Sequence, residues 1–207
     1  MKFEVAFAYL RVAVPVLAAV CMIAATGHAQ FGTPFDLRQR TPTIEDADPG
    51  TMPGVSERLP PVYQHQPVFY RNTETPGTII IDTSDRFLFL ILSSNSAMRY
   101  GIGVGRDGFQ WQGLLRVTRK AEWPDWTPPP EMIKRQPYLP RFMAGGPGNP
   151  MGARALYLGD TVYRIHGTNA PNTIGHAVSS GCFRLVNDEI IDLYERVAVG
   201  TKVIVQH

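Results

Sequence analysis

Thr78-Ile79-Ile80-Ile81-Asp82-Thr83-Ser84-Asp85-Arg86-Phe87-Leu88-Phe89-Leu90-Ile91-Leu92 is two β-branched or aromatic runs joined by a polar turn. That is the pattern of an antiparallel hairpin. Residues 97–104, 114–119, 154–158, 161–165 and 202–205 each predict a further strand, and Gly159-Asp160 makes a tight hairpin of the 154–158 and 161–165 pair. One segment has strong helical character. Asn187 reads as its N-cap, Asp188 and Glu189 suit its first turn, and Ile190, Ile191, Tyr194 and Val197 form an apolar stripe closed by Gly200. Many short strands with one late helix predict a mostly β, sandwich-like domain and exclude an alternating βαβ architecture.

The regions outside these strands differ in composition. Lys2 and Arg11 precede an apolar stretch over 12–25, and Gly27-His28-Ala29 offers a small-x-small cleavage pattern. Residues 1–29 therefore read as a signal peptide for export, with a retained anchor as the alternative. Cys21 raises a lipoprotein reading, but Val20 before it is too large for that cleavage site. Residues 30–76 are Pro-rich, with seven prolines between 30 and 67, and predict a flexible segment whose part over 61–69 adds an edge strand. Residues 77–207 are left as the folded domain. Without the leader the chain keeps 18 basic and 17 acidic residues (20 − 2 and 18 − 1), a net charge of +1. No basic run stands out, which argues against a nucleic-acid partner.

Residues 121–150 interrupt the strands with eight prolines, two tryptophans and Gly145-Gly146-Pro147-Gly148. An insertion of that length in a compact domain is either functional or disordered. Its aromatic residues Trp123, Trp126 and Tyr138 favour an ordered flap, the plainer alternative being a cover for a sheet edge.

The chemistry concentrates in two short stretches, Ile165-His166-Gly167-Thr168-Asn169 and Ser179-Ser180-Gly181-Cys182-Phe183-Arg184. Once the leader is removed, Cys182 has no partner for an intramolecular disulfide, an unusual state for an exported chain. Strand alternation puts Arg164 and His166 on one face, with Ile165 and Tyr163 on the other. Cys182 and Arg184 likewise share a side. A free thiol ionises near pH 8.5, so His166 within reach would raise its reactive fraction and later protonate a leaving amine. No acidic residue lies nearby in sequence, which makes the Gly167 carbonyl the candidate acceptor for the second ring nitrogen. Backbone N–H groups around Gly181 and Cys182 are candidate oxyanion donors, and Arg184 a candidate partner for negative charge.

Other readings of the same residues are weaker. His166, His176 and Cys182 match no familiar zinc spacing, and His176 reads better as an exposed loop residue. Gly103-x-Gly105-x-x-Gly108 opens no helix, so it reads as a glycine-rich turn and not a dinucleotide site. No metal or organic cofactor is indicated. Papain-like proteases place the cysteine before the histidine, and the sortase Thr-Leu-x-Thr pattern is missing.

The two stretches, together with Ile174-Gly175, Leu185, Asn187-Asp188 and Val199-Gly200-Thr201-Lys202-Val203, resemble the L,D-transpeptidase catalytic domain (YkuD-type) over residues 77–205. The resemblance implies a β-sandwich-like domain acting on peptidoglycan stem peptides in the periplasm. Carried over by position, it makes Cys182 the nucleophile and His166 the proton carrier, with Ser180, Gly181 and Arg184 shaping the pocket. Many members carry histidine where this chain has Ser180. The expected reaction is acyl transfer from a tetrapeptide stem, through a Cys thioester, to an amine. That amine belongs to another stem, giving 3-3 cross-links, or to an outer-membrane protein. An L,D-carboxypeptidase using water, or a non-catalytic cell-wall binding module, are the alternatives.

Overall fold

The computed structural model describes residues 59–207. The predicted leader and the Pro-rich stretch up to residue 58 lie outside the described residues. Among the described residues there are eleven strands: β1 (Gln66–Phe69), β2 (Ile79–Asp82), β3 (Phe87–Ser93), β4 (Ser96–Gly101), β5 (Val104–Gly105), β6 (Gly113–Glu122), β7 (Arg154–Leu158), β8 (Arg164–His166), β9 (Ala177–Ser179), β10 (Phe183–Arg184) and β11 (Lys202–Gln206). Nine of them hydrogen-bond in the order β1-β4-β3-β2-β11-β6-β7-β8-β10, while β5 and β9 form a separate parallel pair.

The architecture turns on β6. Its first half pairs with β11 and its second half with β7, and the register shifts between Val117 and Arg119. An irregularity of this kind bends a strand, so β6 folds one long sheet into two facing layers. Ile79, Ile81, Leu88, Leu90, Val203 and Val205 point inward from one layer. Leu156, Leu158, Ile165 and Phe183 meet them from the other, and Ile190 and Leu193 of α2 (Asn187–Arg196) complete the core. The mostly β, sandwich-like expectation is met. The hairpin at Thr83–Arg86 forms as read, with Asp82 opposite Phe87.

The edge strand expected within 61–69 forms as β1, paired antiparallel with β4 at the end of the sheet, and the His65 ring lies 2.8 Å from Glu189 of α2, so order begins before residue 77. Several other local expectations are corrected. The strand expected over 97–104 stops at Gly101. A Cβ there would lie 2.5 Å from that of Tyr63, and one on Gly103 would lie 2.7 Å from the Thr173 carbonyl. The chain leaves the sheet where only glycine fits, and β5 joins β9 instead. The strand expected over 161–165 is regular only from Arg164, since Thr161 turns its hydroxyl back onto the Leu158 carbonyl (2.7 Å). Asn187 does not cap α2: its Oδ1 accepts the Ala153 N–H at 2.8 Å, and Val186 occupies the cap position. Gly200 serves the turn into β11 rather than the end of α2. The flap holds a second short helix, α1 (Pro130–Arg135), that the sequence reading did not anticipate.

Candidate active site

The outer face of the β6–β7–β8–β10 layer carries two parallel rows of side chains. Register pairs Ala121 with Ala155, Ala155 with His166, and His166 with Arg184. The neighbouring row pairs Arg119 with Tyr157 and Tyr157 with Arg164. Phe183 stands opposite Ile165, so one residue back Cys182 falls opposite Arg164. Inward-pointing Leu156, Ile165 and Phe183 hold this face rigid from beneath. His166 and Cys182 thus share a face but belong to adjacent rows, about 7 Å apart along the strand.

The loop before Cys182 is tightly specified. Ser179 Oγ accepts the Gly181 N–H (3.1 Å) and donates to the Cys182 carbonyl (2.6 Å). Gly181 has φ +104°, and a Cβ on it would lie 2.7 Å from the Tyr163 ring, so no other residue is accommodated without movement. Trp111 stacks on Tyr163, with centroids 4.4 Å apart, and donates its indole N–H to the Gly181 carbonyl at 2.9 Å. The Gly181 N–H expected to bind an oxyanion is therefore already engaged. Among the described residues the Cys182 N–H has no partner, which leaves it as the available donor.

His166 is buried, and its Nδ1 lies 2.6 Å from the Gly167 carbonyl. A carbonyl only accepts, so Nδ1 carries the proton and Nε2 keeps a free lone pair. Burial first, and then the Arg184 cation, push the imidazole down to about 3, against the pull of the Gly167 carbonyl and the Met151 backbone. The ring is neutral at ordinary pH.

Cys182 is half-buried. Its thiol donates to the Val162 carbonyl at 3.7 Å and makes no hydrogen bond to His166. Burial pushes the thiol up, and the Arg164 and Arg184 charges with hydrogen bonds from Arg164 pull it back. Burial also lowers Arg184, though an ionised Cys182 beside it would favour its charge.

The flap packs beside the histidine row. Trp126, Leu139 and Met151 bury Ala155, with Tyr157 at the margin. Asn149, 1% exposed, pins the flap's return: its amide donates to the Met143 (3.1 Å) and Ala144 (3.0 Å) carbonyls, and its oxygen accepts the Met151 N–H (2.8 Å). Arg135 of α1 reaches over Phe109, 5.3 Å from the ring centroid, and Arg106 stacks on the same ring at 4.4 Å. Trp126 is thus an anchor, while Trp123 and Tyr138 are exposed at 41% and 67%.

The structure brings His166, Gly167, Gly181, Cys182 and Arg184 together, with half-buried Ser180 on the loop just before Gly181. His176 is exposed and Gly103 lies in the turn against Arg184. Trp111, Asn149, Met151 and Arg164 were not singled out as site residues from the sequence. The Trp between Gly108 and Gly113, the Asn-Pro closing the flap and the place of Arg164 on the His166 face offered a local signal.

A mostly β sandwich presenting a cysteine, a neutral histidine and an arginine on one sheet face has the equipment of a thiol-dependent acyltransferase. The L,D-transpeptidase catalytic domain family, YkuD, matches residues 76–205, and the chain belongs to that family. The probable L,D-transpeptidase ErfK/SrfK of Escherichia coli K12 is 40% identical over 146 residues, 67% of this chain and 46% of that protein. The putative L,D-transpeptidase YqjB of Bacillus subtilis is 33% identical over 134 residues, 61% of this chain and 69% of that one. The chain spans about half the length of the Escherichia coli relatives it matches. Among solved structures, L,D-transpeptidase 3 from Mycobacterium tuberculosis shares the fold with a TM-score of 0.51 at 15% identity, over 63% of this chain and 60% of that one.

Proposed function

We propose that this protein is an exported peptidoglycan L,D-transpeptidase in which Cys182 carries the acyl group. The neutral, Gly167-oriented His166 on the same sheet face as the free Cys182 thiol supports this reading most directly. Membership of the family and the leader-like N-terminus add to it.

The thiol first leaves the Val162 carbonyl by rotation about its Cα–Cβ bond and gives its proton to His166 Nε2. The thiolate attacks the carbonyl between the diamino residue and the terminal D-alanine of a tetrapeptide stem. The Cys182 N–H and the nearby guanidinium groups hold the oxyanion. The C–N bond then breaks, His166 returns the proton to the departing amine, and D-alanine leaves a thioester. An amine on a second stem attacks that thioester, its proton passes through His166 to the sulfur, and a 3-3 cross-link forms.

Incubation with a purified tetrapeptide-stem muropeptide tests the reading. The expected products are D-alanine and a cross-linked dimer, absent with Cys182→Ala. Tripeptide without dimer would assign a carboxypeptidase, and dimer from Cys182→Ala would remove the cysteine mechanism. Adding an amine-bearing envelope protein asks whether it too serves as acceptor.

A further inference from the structure

We infer that Arg164, with Arg119 across the Tyr157 ring, forms a carboxylate subsite that reads an acidic group on the acyl side of the scissile bond, the part retained in the thioester. This rests on the transpeptidase reading and deepens it.

The row Arg119–Tyr157–Arg164 runs across two strand pairings, and Cys182, one residue before the Phe183↔Ile165 pair, falls next along it. The Arg119 guanidinium carbon lies 3.4 Å from the Tyr157 ring centroid, and that of Arg164 lies 5.2 Å away. Stacking on one ring fixes both groups in orientation. The acidic side chains in ion pairs among the described residues lie elsewhere: Glu189 with His65, Glu131 with Lys134, Glu122 with Arg154, Asp192 with Arg196 and Glu74 with Lys202. Arg164 Nε is buried and has no hydrogen-bond partner. A buried donor on a cation is costly unless something accepts from it, and the planar fork of a guanidinium matches a carboxylate.

Position decides which carboxylate. Arg184 pairs in register with His166, the group that protonates the departing amine, so Arg184 lies on the leaving-group side. Arg164 stands opposite Cys182 itself, one same-face step from His166. It therefore meets the half of the donor that stays bound to sulfur. In a stem peptide that half bears carboxylates on the diamino residue and on the γ-linked acidic residue before it.

The test compares donor stems whose acyl-side carboxylates are free with stems in which they are carboxamides. The readouts are D-alanine release and acyl-enzyme mass on the full chain. Wild type should prefer the free acid by about 10-fold to 100-fold in kcat/KM, as expected for loss of a charge-assisted bidentate contact. Arg164→Gln should abolish the preference by slowing the free-acid stem alone, and Arg164→Lys should restore part of it. The ratio between stems cancels any effect of the substitution on the thiol. Should Arg164→Gln not fold, the exposed Arg119→Gln should shrink the preference by about 3-fold or more. Equal rates for the two stems in wild type, or an equal loss on both in Arg164→Gln, would overturn the subsite alone. Failure of both stems to acylate Cys182 would overturn the transpeptidase reading and the subsite with it.

Discussion

Arg184 stands beside His166 in the parallel β8/β10 ladder, so the imidazole meets a cation where a carboxylate orients the base in many thiol and serine enzymes. With the Gly167 carbonyl fixing the tautomer and Arg184 opposing protonation, the ring is built as a neutral proton acceptor. Before any proton transfer the Cys182 thiol therefore has guanidinium groups, and no imidazolium, as its charged neighbours.

That arrangement has a pH signature. His166 titrates at about 3 in the fold against 6.5 as its ordinary value. Above pH 6.5 neither state holds the proton. Between 6.5 and 3 the unfolded chain binds it and the folded chain does not, so stability falls as pH falls through that window. The loss approaches about 4–5 kcal/mol near pH 3 as an upper figure. Urea midpoints at pH 7.5 and 4.5 should diverge less in His166→Gln than in wild type. Wild-type acylation rates should also show no acid limb centred near 6.5.

Gly181→Ala should cost about 1–3 kcal/mol, because φ is +104° and the new methyl meets the Tyr163 ring. It should also slow acylation of Cys182 by at least about 10-fold, since the displaced loop carries the sulfur. Thermal unfolding and intact-protein mass spectrometry check the two effects separately.

How much of this was legible beforehand depends on how local each relationship is. His166, Gly167 and Cys182 could be read because reactive residue types sit in short motifs and their faces follow from strand alternation. The hairpin at Thr83–Arg86 was legible for the same reason. Arg164 could be placed on the His166 face, but its meeting with Arg119 and Tyr157 depends on pairing across β6, β7 and β8, which no local spacing specifies. Asn187 misled because its side chain finds a better partner in Ala153, 34 residues away, than in its own helix. The helix α1 was hidden by the prolines at 128–130, which mark a break yet also suit a first helical turn.

Trp111→Phe keeps the ring on Tyr163 but removes the donor to the Gly181 carbonyl. It should cost about 1 kcal/mol and reduce acylation several-fold while leaving the fold intact. Circular dichroism melts paired with labelling of Cys182 would report both.

Asn149→Ala strips two carbonyls and one N–H of their shared partner inside the flap's return. A loss of about 3 kcal/mol is expected. Hydrogen exchange should rise across the flap, and turnover should fall because the Met151 backbone beside His166 loses its anchor.

Tyr157 belongs at once to the aromatic margin of the flap cluster and to the arginine stack. One ring therefore serves two masters, and linkage makes the bond between them mutual. If the guanidinium row takes a donor as proposed, that donor steadies the covering segment, and a substitution loosening the segment weakens the grip on the donor by the same factor. On the proposed subsite, cover and recognition would share a single tyrosine plane.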